Sequence, residues 1–212
     1  MKITKFGHCC LLIEEQGVRI LTDPGEWTVA QNQVKIIDLV LITHEHSDHL
    51  HVDSLKTVLA NNPQVKVFCN SSVGKIIDQE GIGHELLEHG QAKEHKGLVI
   101  EGHGENHAII YEDFGRVQNT GFLIAGKLFY PGDALYNPQK LVDILALPVA
   151  GPWVKVSEFM EYAKAIKPRI CFPVHDGYLN FKIFSHNGVP RAVLPKFGIE
   201  FKVLELEKET EV

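Results

Sequence analysis

Residues 39–49 constrain this chain more than any other stretch: an apolar run, Leu39-Val-Leu-Ile-Thr43, leads straight into His44-Glu-His46-Ser-Asp48-His49. The first part is β-branched and uncharged, the pattern of a buried strand. The second part crowds three histidines and an aspartate onto the loop that leaves it. Any fold must therefore bury the strand and still gather strong ligands at its end. Imidazole nitrogen and carboxylate oxygen are the donors that borderline first-row cations prefer, above all zinc. His44 and His46, two apart in extended chain, point to one side and can chelate one ion. Asp48 and His49, beyond a turn, can reach a second. A chance histidine-rich surface loop is the competing reading, and the donors found further along the chain weigh against it.

Length and composition bound the rest. At 212 residues, with 44% hydrophobic and 23% charged residues, residues 1–212 read as one soluble domain with a real core. The formal net charge of −6 argues against a general nucleic-acid surface, which would show a basic stripe. It leaves room for a small anionic substrate, since bound metal supplies local positive charge. No apolar run reaches the ~18 residues of a membrane span, and the Met1–His8 segment lacks the features of a signal peptide. Cys9, Cys10, Cys69 and Cys171 show no CxxC spacing and read as reduced, buried small hydrophobes. A cytoplasmic location follows from these features. No membrane association is expected, and homo-oligomerisation is left open.

Short β runs are predicted over Ile3–Phe6, Cys9–Glu14 and Val18–Leu21, then Leu39–Thr43 and Val65–Asn70. Further strands are predicted over His84–Leu87, Leu98–Gly102, His107–Tyr111, Thr120–Ala125, Lys127–Tyr130, Ile144–Pro148, Ile170–Val174 and Ile199–Leu206. Helices are predicted over Asp53–Ala60 with Asp53 as cap, over Val73–Gln79 introduced by Ser71-Ser72, and over Ser157–Ile166 capped by Ser157. Residues 207–212 read as a frayed, solvated end. Strands with a few interspersed helices give a mixed α/β (α+β) class, two packed sheets flanked by helices.

Two ions need more donors, and a polar residue at the end of an apolar strand is the form to look for. Asp133 ends Leu128-Phe-Tyr-Pro-Gly-Asp133, and a carboxylate has two oxygens with which to bridge two cations. His175 ends Ile170-Cys-Phe-Pro-Val-His175. The segment Glu101-Gly-His103-Gly-Glu-Asn-His107 offers two further histidines.

The His-x-His-x-Asp-His pattern resembles the signature of the metallo-β-lactamase superfamily. The resemblance spans nearly the whole chain and implies a four-layer αββα sandwich with two metal ions. Asp133 and His175 look like the superfamily's later metal positions, Asp133 the bridging one. Several motifs resemble a branch related to L-ascorbate-6-phosphate lactonase: Phe6-Gly-His8-Cys-Cys, Ile20-Leu-Thr-Asp23-Pro24, Asn106-His107-Ala, Ala146–Trp153 and Pro173–Gly177. That likeness favours His107 over His103 as ligand. The implied metal set is His44, His46, Asp48, His49, His107, Asp133 and His175. Asp48, His8 and Asp23 are assigned to catalysis, Asp23 by fixing a ligand imidazole through its other nitrogen and His8 by lining the pocket. His51, His84, His89, His95 and His186 read as surface or structural, and Arg116, Lys155 and Lys182 as solvated charge.

Two divalent ions ~3.5–4 Å apart lower the pKa of a bridging water toward ~7 and give hydroxide near neutral pH. The expected activity is hydrolysis of a small-molecule lactone, ester or phosphodiester. Zinc is the first choice of metal, with manganese, nickel or iron as alternatives. Antibiotic hydrolysis is not expected, because a true β-lactamase lacks the aspartate position that Asp133 fills. The short interval between Asp133 and His175 leaves no room for a nuclease insert. The competing readings are a di-iron redox protein of the same fold and a non-catalytic metal-binding scaffold.

Overall fold

Apolar alternation builds two sheets face to face. In the computed structural model, which describes residues 1–179 and 187–212, the first sheet has the order β14-β1-β2-β3-β4-β5-β6 and the second β13-β12-β11-β10-β9-β8-β7. Its strands are β1 (Lys2–Gly7), β2 (Cys10–Glu15), β3 (Val18–Thr22), β4 (Leu39–Ile42), β5 (Lys66–Cys69), β6 (Glu85–Leu86) and β14 (Thr210–Glu211). The second holds β7 (Ala92–His95), β8 (Leu98–His103), β9 (Gly121–Ile124), β10 (Leu128–Tyr130), β11 (Ile144–Pro148), β12 (Ile170–Val174) and β13 (Glu200–Phe201). Each sheet runs as an antiparallel meander and then turns parallel: from β3 to β6 in the first, from β10 to β13 in the second. The sequence shows no repeat, yet the topology is duplicated.

Period-two alternation divides each strand between two cores. Leu39 and Leu41 of β4 face inward and meet Phe122, Ile124 and Phe172 of the opposite sheet. Val40 and Ile42 face outward onto α1 (Val52–Asn61) and α2 (Ser71–Gln79), where Leu55, Val58, Val73 and Ile77 are buried. Leu145, Leu147 and Cys171 face outward beneath α3 (Val156–Ile166), against Phe159 and Ala163. The layers are therefore αββα, the fold expected above. Each fully buried Leu, Ile or Phe contributes about 1.5–3 kcal/mol, so three contiguous apolar layers hold the frame without disulfides; all four cysteines are free.

Several expectations are corrected. Helix α1 begins at Val52 with His51 as N-cap and Asp53 in its first turn. Helix α3 begins at Val156 with Lys155 as cap, where Glu158 reaches back to the Lys155 N–H at 2.8 Å. Helix α2 starts at Ser71 because the Asn70 side chain accepts the Val73 N–H at 3.0 Å. Residues 107–111 form no strand: only Asn106 and Tyr111 make isolated bridges, and His107 lies on a loop. The predicted Ile199–Leu206 strand is two residues long, Glu200–Phe201. The C-terminal residues are not frayed: Thr210 and Glu211 pair with Ile3 and Lys2. Strand β7, Ala-Lys-Glu-His, carries too little apolar content to signal a strand, and it is held as an edge by β8. Residues 188–193 add a short helix, α4. No described helix is long and apolar enough to cross a membrane. Lys182 and His186 lie outside the described residues.

Candidate metal centre

The polar residues at the carboxyl ends of parallel strands converge on one edge of the sandwich, where open α/β sheets bind ligands. Asp23 follows β3, His44 follows β4, Asp133 follows β10 and His175 follows β12. The β1–β2 turn brings His8 and Cys9 to the same edge. His8, Asp23 and His175 all sit at left-handed backbone angles, φ 40°, 38° and 56°. Such strain costs roughly 1–3 kcal/mol per residue. Local bonds hold it: Asp23 N–H donates to Leu41 O at 2.9 Å and His175 N–H to His8 O at 3.1 Å. Gly132 is required at φ 65°, since a β-carbon there would meet Asn119 Oδ1 at 2.3 Å.

All seven anticipated donors lie together. Donor atoms of His44, His46 and His107 fall within 4.8 Å of one another. Asp133 Oδ1 is 3.1 Å from His49 Nε2, while its Oδ2 is 2.8 Å from His175 Nε2 and 3.3 Å from His107 Nε2. Asp48 Oδ2 is 3.5 Å from His175 Nε2 and 3.8 Å from His49 Nε2. His103 is elsewhere: its Nε2 is 3.3 Å from Glu101 Oε2 and its ring packs edge-on to Phe129.

The surroundings fix which nitrogen faces the centre. Asp23 Oδ2 lies 2.7 Å from His49 Nδ1, so the Nδ1–H donates to it and Nε2 points free toward Asp133. Thr43 donates its hydroxyl to Asp23 Oδ2 at 2.8 Å, and its oxygen then accepts from His44 Nδ1 at 3.0 Å. His107 Nδ1 lies 2.5 Å from Ala108 O, so Nε2 is again the free nitrogen. Tyr130 O–H donates to Asp23 at 2.7 Å, and the Trp153 indole N–H donates to Asp133 Oδ2 at 2.9 Å. His8 is set the other way. Its Nδ1 accepts the Gly177 N–H at 3.0 Å, which leaves the proton on Nε2, 3.0 Å from Asp48 Oδ2.

Divalent cations fit this donor set. His44 Nε2, His49 Nε2, Asp133 Oδ1 and both ring nitrogens of His175 are buried without a hydrogen bond of good geometry among the described residues. Such orphans in a native interior call for an explanation. With metal–nitrogen bonds of about 2.0–2.1 Å, tetrahedral ligands sit roughly 3.3 Å apart, close to the spacings around Asp133. Among the side chains alone, imidazolium charge balances the carboxylates. Burial disfavours charge on His175, yet Asp133 outweighs it and pushes the imidazole up to about 10. Burial likewise opposes the His49 imidazolium, and the nearby Cys9 and Asp133 charges raise it well above its ordinary value. Asp133, despite burial, is held well below the usual carboxylate range by His49 and His175. His44 is driven well down by burial and by His49, so it stays neutral.

Sequence reasoning missed several members. Cys9 is buried as expected, but its thiol lies among donor atoms of His8, His49 and His175, within 4.8 Å. Burial would raise that thiol, and the His8 and His49 charges bring it down to about 6. Thr43, Tyr130 and Asn119 carry no motif, because their role comes from strands distant in sequence. Trp153 falls within the Ala146–Trp153 motif, which by itself assigns it no role. Arg116 and Lys155 are exposed and, among the described residues, pair with Asp113 and Glu158, as solvated charges.

Comparison with known proteins agrees with the fold. The model of the beta-lactamase superfamily domain matches residues 2–175. Protein Rv0786c of Mycobacterium tuberculosis is 33% identical over 180 residues, 82% of this chain and 84% of that protein. A UPF0173 metal-dependent hydrolase of Thermoplasma acidophilum is 28% identical over 227 residues, covering 100% of this chain and 99% of the relative. The solved metallo hydrolase Igni18 of Ignicoccus hospitalis superposes with a TM-score of 0.77 at 21% identity, over 99% of this chain and 97% of its own. The chain belongs to the metallo-β-lactamase superfamily.

Proposed function

We propose that this chain is a metal-dependent hydrolase that holds two divalent ions, zinc first, and cleaves a small-molecule lactone, ester or phosphodiester with water. One observation carries the reading: the Asp133 carboxylate reaches members of both proposed donor sets, with Oδ1 3.1 Å from His49 Nε2 and Oδ2 2.8 Å from His175 Nε2 and 3.3 Å from His107 Nε2, while the donor atoms of His44, His46 and His107 lie together. The metal-dependent-hydrolase name of the Thermoplasma relative supports the reaction class, and the motifs around His8, Asp23 and His175 support the lactonase-like branch.

His44, His46 and His107 would hold one ion; Asp48, His49 and His175 the other, with Asp133 between them. When bound, such a pair lowers the pKa of water toward ~7 and offsets charge that develops on the substrate oxygen. The chain's residues do the rest. Asp48 lines the pocket, and its carboxylate would accept a proton from the attacking water. His8 Nε2–H donates to Asp48 Oδ2 and keeps that carboxylate oriented. Asp23 and Thr43 hold two imidazoles in the tautomer that presents Nε2. Trp27, Ile110, Trp153 and Tyr178 line the pocket above and limit its water.

Elemental analysis of protein purified without added metal should return about two transition-metal ions per chain. With that metal restored, a panel of lactones, carboxylic esters and phosphodiesters should show hydrolysis that a chelator abolishes. Two bound ions with no hydrolysis across the panel would reject the hydrolase reading. Iron with a redox-active absorption band would favour the di-iron alternative.

A further inference from the structure

A second cavity lies behind His8, on the far side from Asp48. It measures about 720 Å³, and Phe6, Trp27, Thr28, Leu179, Leu204 and Leu206 supply most of its wall. That size lies within the range of pockets that take small organic ligands, roughly 300–1,000 Å³. Among the described residues, the charged side chains that border it, Lys5 and Asp176, pair with each other at 2.6 Å. It adjoins the metal centre. Trp27 lines both spaces, and the His8 ring that donates to Asp48 packs on Trp27 with centroids 4.5 Å apart. Gly177 makes that partition thin: a β-carbon there would meet His8 Nδ1 at 2.9 Å and Trp27 Cε3 at 3.0 Å.

The rim is apolar as well. Trp27, Val203 and Leu206 are exposed by 42%, 38% and 57%. Scattered exposed apolar residues are ordinary, but a group of them around a concave apolar space marks a ligand site. A purely polar substrate would leave this surface wet.

We infer that the cavity receives an unbranched hydrocarbon chain of the substrate, an acyl or alkyl tail, while the hydrolysable group lies over the metals on the other side of Trp27. The inference rests on the hydrolase reading for the identity of the reacting group; the binding of the chain itself does not depend on it. The substrate class is thereby narrowed to amphiphiles with a carboxylic or phosphoric ester or lactone head.

Calorimetric titration of the full chain with straight-chain alcohols, 1-butanol to 1-decanol, tests this directly. These probes carry no anionic head to bind a metal, and they can be titrated into metal-free and metal-loaded protein alike. Each added methylene should tighten binding about three- to fourfold until the cavity is full. Leu206→Asp, at an exposed rim position that leaves the fold intact, should weaken 1-decanol at least tenfold. Thr28→Trp, which fills the space from the side, should abolish the chain-length dependence. Absence of binding at every length, affinity independent of length, or length dependence unchanged in both variants would overturn the inference. If the length dependence holds while no ester is hydrolysed, the cavity stands and the hydrolase reading falls. If short esters are hydrolysed and no alcohol binds, the reverse holds.

Discussion

Lys5 Nζ lies 2.6 Å from Asp176 Oδ2 and donates to Pro173 O at 2.8 Å, with only 2% of the Lys5 side chain exposed. One buried ammonium thus grips both ends of the segment that carries His175. Gly177, the next residue on, supplies the N–H that fixes the His8 tautomer. Removing one partner of such a pair leaves an unpaired buried charge. Lys5→Met should therefore cost about 3 kcal/mol or more, read by denaturant unfolding. Lys5→Met combined with Asp176→Leu should recover most of that loss, and a double variant as unstable as the single one would show that the charges are not coupled.

The two histidines of the 101–107 segment should separate cleanly. In His107→Ala, metal titration should show one fewer tightly held ion, because its Nε2 is 3.3 Å from the Asp133 carboxylate proposed to lie between the ions. His103→Ala should keep the wild-type stoichiometry, since His103 pairs with Glu101 outside both donor sets. The opposite pattern would reassign the ligand.

Two carboxylates should fail in different ways. Asp48→Asn keeps its shape, loses the ability to accept a proton, and should lower turnover at least ~100-fold while at least one ion stays bound. Asp133→Asn removes the charge shared by His49, His107 and His175, and it should lose metal itself. An Asp48→Asn protein that keeps its metal and turns over a good substrate at nearly the wild-type rate would remove this aspartate from the mechanism.

Away from the centre, Glu88 gives a pH signature. Its Oε1 accepts from Gln118 Nε2 at 3.1 Å and from the Ser71 N–H at 3.0 Å, and the Gln118 and Ser71 bonds hold its carboxyl below the ordinary value. A depressed folded pKa contributes stability above the unfolded value of ~4.3 and loses it as pH falls through the folded one. Glu88→Gln should therefore be less stable than wild type by up to about 1 kcal/mol between pH 5 and 8, a small figure because the group is half-exposed and screened. That difference should shrink below pH 4. A constant difference across the acid limb would mean that the carboxylate charge is not what holds Ser71 and Gln118.

Much of the centre was legible because metal donors are few in kind and sit at strand ends, which hydrophobic runs mark well. His44, His46, Asp133 and His175 follow apolar runs whose ends are found within a residue or so. What orients them was hidden. Thr43, Tyr130 and Trp153 act through partners that the sheets bring from elsewhere in the sequence, and no local pattern encodes that meeting. The edges were also hidden. Strands β7 and β14 are polar and short, held by neighbours rather than by their own burial. The Ile199–Leu206 run is apolar enough to promise a longer strand, yet its Leu204 and Leu206 border a cavity instead of continuing the ladder.

The duplicated topology has a consequence for assembly. Histidines 44, 46 and 49 and Asp48 come from the first half of the chain; His107, Asp133 and His175 come from the second. On the proposed two-ion reading, neither half alone would carry a full coordination sphere for either ion. Tight metal capture would then become possible only once the two β-sheets have docked. An ion that binds the finished sandwich and not the open chain acts as a clasp across the seam, and its stabilisation grows with its free concentration. Chelators should accordingly loosen the join between the sheets before either sheet unravels.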